Sequence, residues 1–212
     1  MRDLLFLSKE AILAYHDQQI QLYGGDPGIL DHGLLESALA QPKNTWLYET
    51  DADVFDVAAA YAFHIVKNHS FTDGNKRTAL MAALGFLKQN KIEARFDEDE
   101  LFNYMIALTE GRISKSKFAE VLYLNGTEKF FHDEPQTITD EMRLLLVGKL
   151  KPSPDEAKAL ILDFVASKIK AVLVTKCEEL NINQRRFDDI IPHVEKTLLS
   201  KIPENQRKQF GL

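Results

Sequence analysis

Two apolar segments separated by a short polar break constrain the fold of this chain more than any other feature. The first, "VAAAYAFHIVKNH" at residues 57–69, is rich in alanine, and the second, "NKRTALMAALGFLKQN" at residues 75–90, has similar character. Both have helical periodicity, and the first is expected to begin at Asp51 and to run for about five turns. Small side chains allow other helices to approach closely. The pattern therefore predicts a central buried helical hairpin, with "SFTDG" as its connection.

The remaining periodic segments also predict helices, so the expected fold class is all-α. One helix is predicted at residues 8–21 after the cap candidate Ser8, and a short one in "LLESALAQP" is expected to stop at Pro42. Residues 43–50 have a β-like composition that fits either a small flap or a loop. Two further helices are predicted in "DEDELFNYMIALTEG" and "SKSKFAEVLYLNG".

Composition and charge balance change after Gly126. The change predicts a division into a first domain at residues 1–128 and a helical extension at residues 129–212. The first part holds 12 basic and 19 acidic residues, and the second holds 14 and 13. "TEKFFHDEPQTITDE" has the composition of a linker, and Ser153-Pro154-Asp155-Glu156 is a helix start from which a helix is expected to run to about Leu180.

Composition excludes several classes of protein. The net charge of −6 argues against general nucleic-acid binding. The single cysteine, Cys177, excludes an internal disulfide framework and fits a reducing compartment. No apolar run is long enough to span a bilayer, and no signal-peptide pattern is present, so we expect a cytoplasmic protein that does not bind membranes.

Lys76 and Arg77 stand at an unusual place, because they follow Gly74 where the second central helix is expected to begin. The first turn of a helix carries unpaired N–H groups and a partial positive charge, so it disfavours cations. An anion bound there would remove the conflict. Free N–H groups after Gly74, the two cations and the Asn75 amide together predict a phosphate site.

Two residues beside this site have the chemistry of a group transfer. His69 could accept a proton from an attacking hydroxyl, and Asp73 could hold Mg²⁺, which prefers carboxylates together with substrate phosphates. Phe71, between them in the sequence, is expected to point inward and fix the loop. A base, a metal carboxylate and an anion site within nine residues predict nucleotide-dependent transfer onto a hydroxyl.

The stretch "HSFTDGNKRTA" resembles the signature of the Fic/Doc superfamily, H-x-F-x-[DE]-G-N-x-R-x-x-R, and the Doc (death-on-curing) branch most of all. The upstream "GGDPGILDHGLLESAL" is also similar to that branch, and the resemblance covers roughly residues 3–124. It implies a Fic/Doc helical core with His69 as the base and Asp73 as the metal ligand. It also implies ATP and Mg²⁺ as cofactors, with the phosphates of ATP bound by four residues: Gly74, Asn75, Lys76 and Arg77.

Two departures from the adenylyltransferase pattern bear on the reaction. Lys76 replaces a small residue, and Leu80 replaces the second arginine that is understood to grip the outer phosphates. Doc-type toxins share both changes, and the resemblance implies transfer of the γ-phosphate of ATP to a threonine of elongation factor Tu. It also implies restraint by a separate antitoxin. Adenylyl transfer to a protein hydroxyl remains an alternative, as does a non-catalytic module that binds nucleotide or phosphate.

Several other residues lie near the motif or match patterns known from Fic proteins. Lys67 and Asn68 are candidates for the mouth of the site, whereas His16, His32 and His64 are given no role. "SKIPEN" at residues 200–205 matches the inhibitory pattern [ST]-x-x-x-E-[GN] of some Fic proteins. Pro203 interferes with a helix there, and Leu80 removes the arginine that Glu204 would pair with, so inhibition by Glu204 is not expected.

Overall fold

The computed structural model describes residues 4–92 and 98–132, together with 162–163, 166, 170, 174–175, 179–183, 186, 192, 196 and 208. Six helices lie in the described part: α1 (Lys9–Tyr23), α2 (His32–Tyr48), α3 (Val54–Asn68), α4 (Asn75–Gln89), α5 (Glu98–Thr109) and α6 (Lys115–His132). The prediction of an all-α fold is confirmed. The described residues contain one isolated antiparallel bridge, between Ile29 and Phe71, and no strand.

The predicted central hairpin is formed by α3 and α4, which pack against each other. Eleven of the 15 residues of α3 are buried, among them the alanines at positions 58, 59, 60 and 62. The helix begins one residue after Asp53, whose side chain accepts hydrogen bonds from the N–H groups of Phe55 and Asp56. Asp56 accepts in return from the N–H of Asp53, which completes a capping box. Because α3 is buried and packs against α4, the polar break between them is held at both ends by packed helices.

The prediction that a short helix stops at Pro42 is wrong, because α2 continues through Pro42 to Tyr48. A proline inside a helix removes one backbone hydrogen bond and costs about 3 kcal/mol. Four α2 residues at helical spacing, namely Leu35, Ala38, Pro42 and Thr45, are buried on one face. Burial of this face offsets the local cost. Residues 43–48, for which a flap or a loop was expected, are therefore helical.

The chain divides into two compact units. The first consists of residues 1–126 with Leu180–Asn183, and the second consists of residues 127–179 and 184–212. Helix α6 extends to His132, six residues beyond Gly126, so the start of the expected linker is helical. The division at residue 128 stays a prediction. Cys177, the helix start at Ser153 and the segment 200–205 lie outside the described residues.

In the first unit, the short segment Leu180–Asn183 closes the N-terminus of α3. The carbonyl of Asn181 accepts from the N–H of Val54 at 3.3 Å, and the N–H of Asn183 donates to Asp53 Oδ2 at 3.2 Å. The Asn183 side chain donates to the carbonyl of Asp51 at 2.8 Å. Residues far along the sequence thus supply partners to the helix that leads into the polar break. No helix in the described part of the chain is long and apolar enough to cross a membrane.

Candidate active site

The loop between α3 and α4 begins and ends with a left-handed residue. His69, directly after α3, has φ 47° and ψ 47°, and Gly74, directly before α4, has φ 73° and ψ 6°. The left-handed region favours glycine, and a non-glycine residue there is uncommon. His69 is exposed, as are Thr72 and Asp73, whereas Ser70 and Phe71 are buried. The loop therefore presents His69 and Asp73 to solvent and uses Phe71 as its anchor, as the sequence predicts.

Asn75 holds this loop closed. Its Oδ1 accepts from the N–H of Phe71 at 3.0 Å, and its Nδ2 donates to the carbonyl of Phe71 at 2.7 Å. Both functional groups of the side chain amide therefore contact the backbone of one residue. Asn75 was predicted to offer its amide to a phosphate. In the structure both ends of this amide bond the backbone of Phe71, and the backbone N–H of Asn75 belongs to the first turn of α4.

A glycine-rich segment before α2 lies along the other edge of the loop. The N–H of Leu30 donates to the carbonyl of Ser70 at 2.8 Å, and the N–H of Thr72 donates to the carbonyl of Gly28 at 3.1 Å. These two bonds flank the bridge between Ile29 and Phe71. The loop is thus fixed on this side by backbone pairing, which depends little on side-chain identity.

The N-terminus of α4 has the features of an anion site. Gly74 supplies no side-chain cap, and the first turn contains no acidic residue. The first backbone bond of the helix runs from the N–H of Thr78 to the carbonyl of Gly74 at 2.9 Å. Lys76 is exposed, and within the described residues no carboxylate forms an ion pair with it. Unpaired N–H groups, the positive end of the helix and a lysine are all favourable to phosphate.

Arg77 has a partner within the protein. Its Nη1 and Nη2 donate to the carbonyls of Gln19 and Gly24 at 3.3 and 3.0 Å, and its guanidinium lies 5.7 Å from the ring centre of Tyr23. These groups form the C-terminus of α1, where the helix carries a partial negative charge. The α1 terminus thus accounts for Arg77, and Lys76 remains as the cation without a counter-charge. That Arg77 also contacts phosphate stays a prediction.

Asp73 is placed where it could bind a cation. Its Oδ1 accepts from the N–H of Gly74, its Oδ2 lies 3.9 Å from Nη2 of Arg77, and its side chain is 53% exposed. Gly25 lies so close that a Cβ there would be 3.1 Å from Cγ of Asp73 and still nearer to Oδ2. Within the described residues no group of three or more His, Cys, Asp or Glu side chains could hold a metal. One exposed carboxylate beside a phosphate site fits Mg²⁺, which keeps several waters and binds through one or two carboxylates plus phosphate oxygens.

His16, for which the sequence predicts no role, lies against the loop in the structure. It lies on α1, is 2% exposed, and stacks on Phe71 with ring centres 4.0 Å apart and planes 14° apart. Its Nδ1 lies 3.2 Å from Oγ1 of Thr78, on the first turn of α4. The spacing of His16 relative to Ile12 and Ile20 on α1 marks it as a residue of the apolar face. That signal predicts burial but does not identify the neighbours.

The other candidates near the site have structural contacts. Nδ2 of Asn68 donates to the carbonyl of Leu34 at 2.9 Å, and Lys67 is exposed with its Nζ 5.8 Å from the ring centre of Phe63. His64 is half-buried, and burial lowers its pKa, with Lys115 acting in the same direction and Glu49 opposing it. His64 is therefore a partly buried packing residue of α3, and the sequence gives it no role in the site.

The fold and the site together define a helical protein in which a histidine, a carboxylate and a helix N-terminus share one loop. Comparison with known proteins gives the family. The model of the Fic/DOC family matches residues 6–87. The chain is 39% identical over 116 residues to protein kinase doc of Escherichia phage P1, a match that covers 55% of this chain and 91% of that protein. It is 41% identical over 87 residues to Toxin Doc of Mycolicibacterium smegmatis, which covers 39% of this chain and 66% of that protein.

The chain belongs to the Fic/Doc family, in its Doc branch. Both matches fall short of the whole chain.

Proposed function

We propose that this protein is a Doc-like toxin that transfers the γ-phosphate of ATP to a serine or threonine hydroxyl of a protein. The observation that carries the proposal is the N-terminus of α4, which has no side-chain cap and no acidic residue. It shares one short loop with the exposed His69 and Asp73. The relative at 39% identity, which is named a protein kinase, supports the choice of a phosphoryl group.

Each residue of the loop has a separate role in this reaction. The N–H groups after Gly74 and the ammonium of Lys76 bind phosphate oxygens, and Arg77 holds α1 against α4 and adds positive potential. Asn75 keeps the loop closed through Phe71. Asp73 would hold Mg²⁺, which would neutralise phosphate charge when bound.

His69 acts as the general base. As the target hydroxyl oxygen forms a bond to the γ-phosphorus, the bond from that phosphorus to the β–γ bridging oxygen breaks and ADP leaves. The hydroxyl proton passes to the imidazole of His69. The exposure of His69 at the end of α3 suits this role, because a protein hydroxyl must reach it from solvent.

The target and the restraining partner are proposed from the resemblance. We propose elongation factor Tu as the substrate, so that phosphorylation arrests translation in the cytoplasm. A separate antitoxin would neutralise the protein. Two relatives named for Doc, one of them as a toxin, support the toxin assignment.

Labelled ATP tests the reaction. Purified protein is incubated with MgCl₂, elongation factor Tu or a cell lysate, and ATP carrying label at either the α- or the γ-phosphate. Label from the γ position alone is expected on the target. Label from the α position would instead establish adenylyl transfer, and label from neither would leave a non-catalytic binding module.

Two histidine substitutions, one inside the loop and one outside it, test whether catalysis at the loop causes toxicity. His69→Ala is expected to abolish both transfer and the growth arrest caused by expression. His32→Ala, which changes an exposed histidine outside the loop, is expected to preserve both. Growth arrest that persists undiminished in His69→Ala would show that catalysis at this loop does not cause toxicity.

A further inference from the structure

One buried imidazole, that of His16, lies against Phe71, Gly74 and Thr78. The ring of His16 stacks on Phe71, and its Nδ1 lies 3.2 Å from Oγ1 of Thr78. A Cβ at Gly74 would lie 3.5 Å from both Nδ1 and Cε1 of the same ring. His16 thus touches the loop anchor, the residue before α4 and the first turn of α4.

The other ring nitrogen of His16, Nε2, makes no hydrogen bond with the described residues that would explain a histidine at this position. Nε2 of His16 is buried, and it has no hydrogen-bond partner in the described part of the chain. Leaving a buried polar atom unpaired destabilises a fold, so an apolar side chain would serve packing alone better than histidine does. The nearby hydroxyl of Thr78 is a hydrogen-bond partner for Nδ1 alone. The ring as a whole is better explained by its contacts with the loop.

The surroundings of His16 favour the uncharged form of its imidazole. Burial lowers the pKa of His16, Arg77 lowers it further, and Asp17 and Asp73 oppose the shift. An uncharged ring would not compete with Lys76 for an anion. Its flat face contacts Phe71 while its edge reaches Thr78, a combination that neither an aliphatic nor a phenyl side chain reproduces.

We propose that His16 is a positioning residue of the transferase site. By holding Phe71 and the first turn of α4 together, it keeps the His69 imidazole and the N–H groups after Gly74 at a constant separation. This inference rests on the proposed function for its kinetic consequence, but the loop-holding role can be measured without substrate.

Kinetics test the consequence. His16→Ala is expected to lower kcat/KM for ATP by about 10- to 100-fold, because small displacements of positioning groups have effects of that size. The loss should appear in kcat, through misplacement of His69, and also as a higher KM for ATP. His16→Phe, which keeps the stack but loses the Thr78 contact, should recover part of it. Ile12→Ala is the matched control: Ile12 is buried one turn earlier on α1 and takes part in none of these loop contacts. The proposal is overturned if folded His16→Ala and Ile12→Ala lose kcat/KM equally.

Hydrogen exchange separates this proposal from the proposed function. Without nucleotide, the hydrogen-bonded loop amides of Phe71 and Thr72 should exchange at least about tenfold faster in His16→Ala than in Ile12→Ala, with a smaller increase in His16→Phe. A tenfold change corresponds to about 1.4 kcal/mol of local opening. Should the wild-type protein transfer no phosphate, this measurement still decides the role of His16. Equal exchange of the loop amides in His16→Ala and Ile12→Ala would refute it.

Discussion

Gly25→Ala is expected to damage the proposed metal site more than it damages the fold. The added methyl group would lie 3.1 Å from both Cγ of Asp73 and Cδ1 of Ile20, and nearer still to Oδ2 of Asp73. The Asp73 side chain is 53% exposed and has room to rotate, so the carboxylate should move rather than the backbone. Rotation away from a preferred side-chain conformation costs roughly 0.5–1.5 kcal/mol.

Gly24→Ala is a matched control for the backbone effect. Both glycines have positive φ, 75° at Gly24 and 124° at Gly25, but a Cβ at Gly24 would have nothing within 4 Å. Each substitution should therefore lower the free energy of unfolding by about 1–3 kcal/mol through backbone strain. Only Gly25→Ala should show the additional cost of displacing Asp73.

The assay is transfer of the ATP γ-phosphate over a series of Mg²⁺ concentrations, combined with unfolding in urea. For Gly25→Ala we expect a fall in kcat/KM of about tenfold or more, since misplacing a positioning group has effects of this order. The Mg²⁺ concentration for half-maximal activity should rise as well. Gly24→Ala should keep the wild-type Mg²⁺ dependence. If the two variants have the same Mg²⁺ dependence, then the missing side chain at Gly25 is not what allows Asp73 to bind a metal, and the prediction is wrong.

Three further outcomes are expected. Asp53→Ala removes an N-cap that also accepts from Asn183, and it should lower the free energy of unfolding by about 1–2 kcal/mol in urea titrations; an unchanged value would show that the contact is dispensable. Asn183→Ala removes one hydrogen bond to the Asp51 carbonyl and should cost about 0.5–1.5 kcal/mol, while kcat per folded molecule stays the same. His16 and His64 have lowered pKa values in the folded state, so the unfolded chain takes up protons first as pH falls. Their contribution to the free energy of unfolding is therefore complete above pH 6.5 and is lost progressively below it. His64→Gln should reduce the slope of the free energy of unfolding against pH in that range.

Local signals in the sequence were sufficient for the elements that depend on neighbouring residues. Ser8 caps α1 as expected, since its hydroxyl accepts from the N–H of Ala11. The left-handed Gly74 and the start of α4 at Asn75 follow from the motif itself. The end of α2 could not be predicted from Pro42, because the rule that proline ends a helix is local, whereas the burial of the α2 face that outweighs it is tertiary.

The candidate site divides in the same way. The sequence predicted that His69 and Asp73 lie on one loop and are exposed to solvent there, because both belong to one short motif between two helical segments. Their chemical roles stay predictions. The sequence did not identify the partner of Arg77, which is the C-terminus of α1, or the contacts of His16 with the loop. Both depend on α1 crossing beside α4, and no periodicity within either helix specifies that contact.

The sequence by itself therefore determined the helical class, the central hairpin and the position of the loop, since these follow from periodicity, alanine content and one compact motif. Tertiary structure alone decided that an imidazole from α1 lies beneath the loop and that α1 carbonyls bind Arg77. It also brought residues 180–183 to the start of α3. The physical reason is range: backbone preferences act over a few residues, whereas contacts between distant segments depend on how whole faces pack.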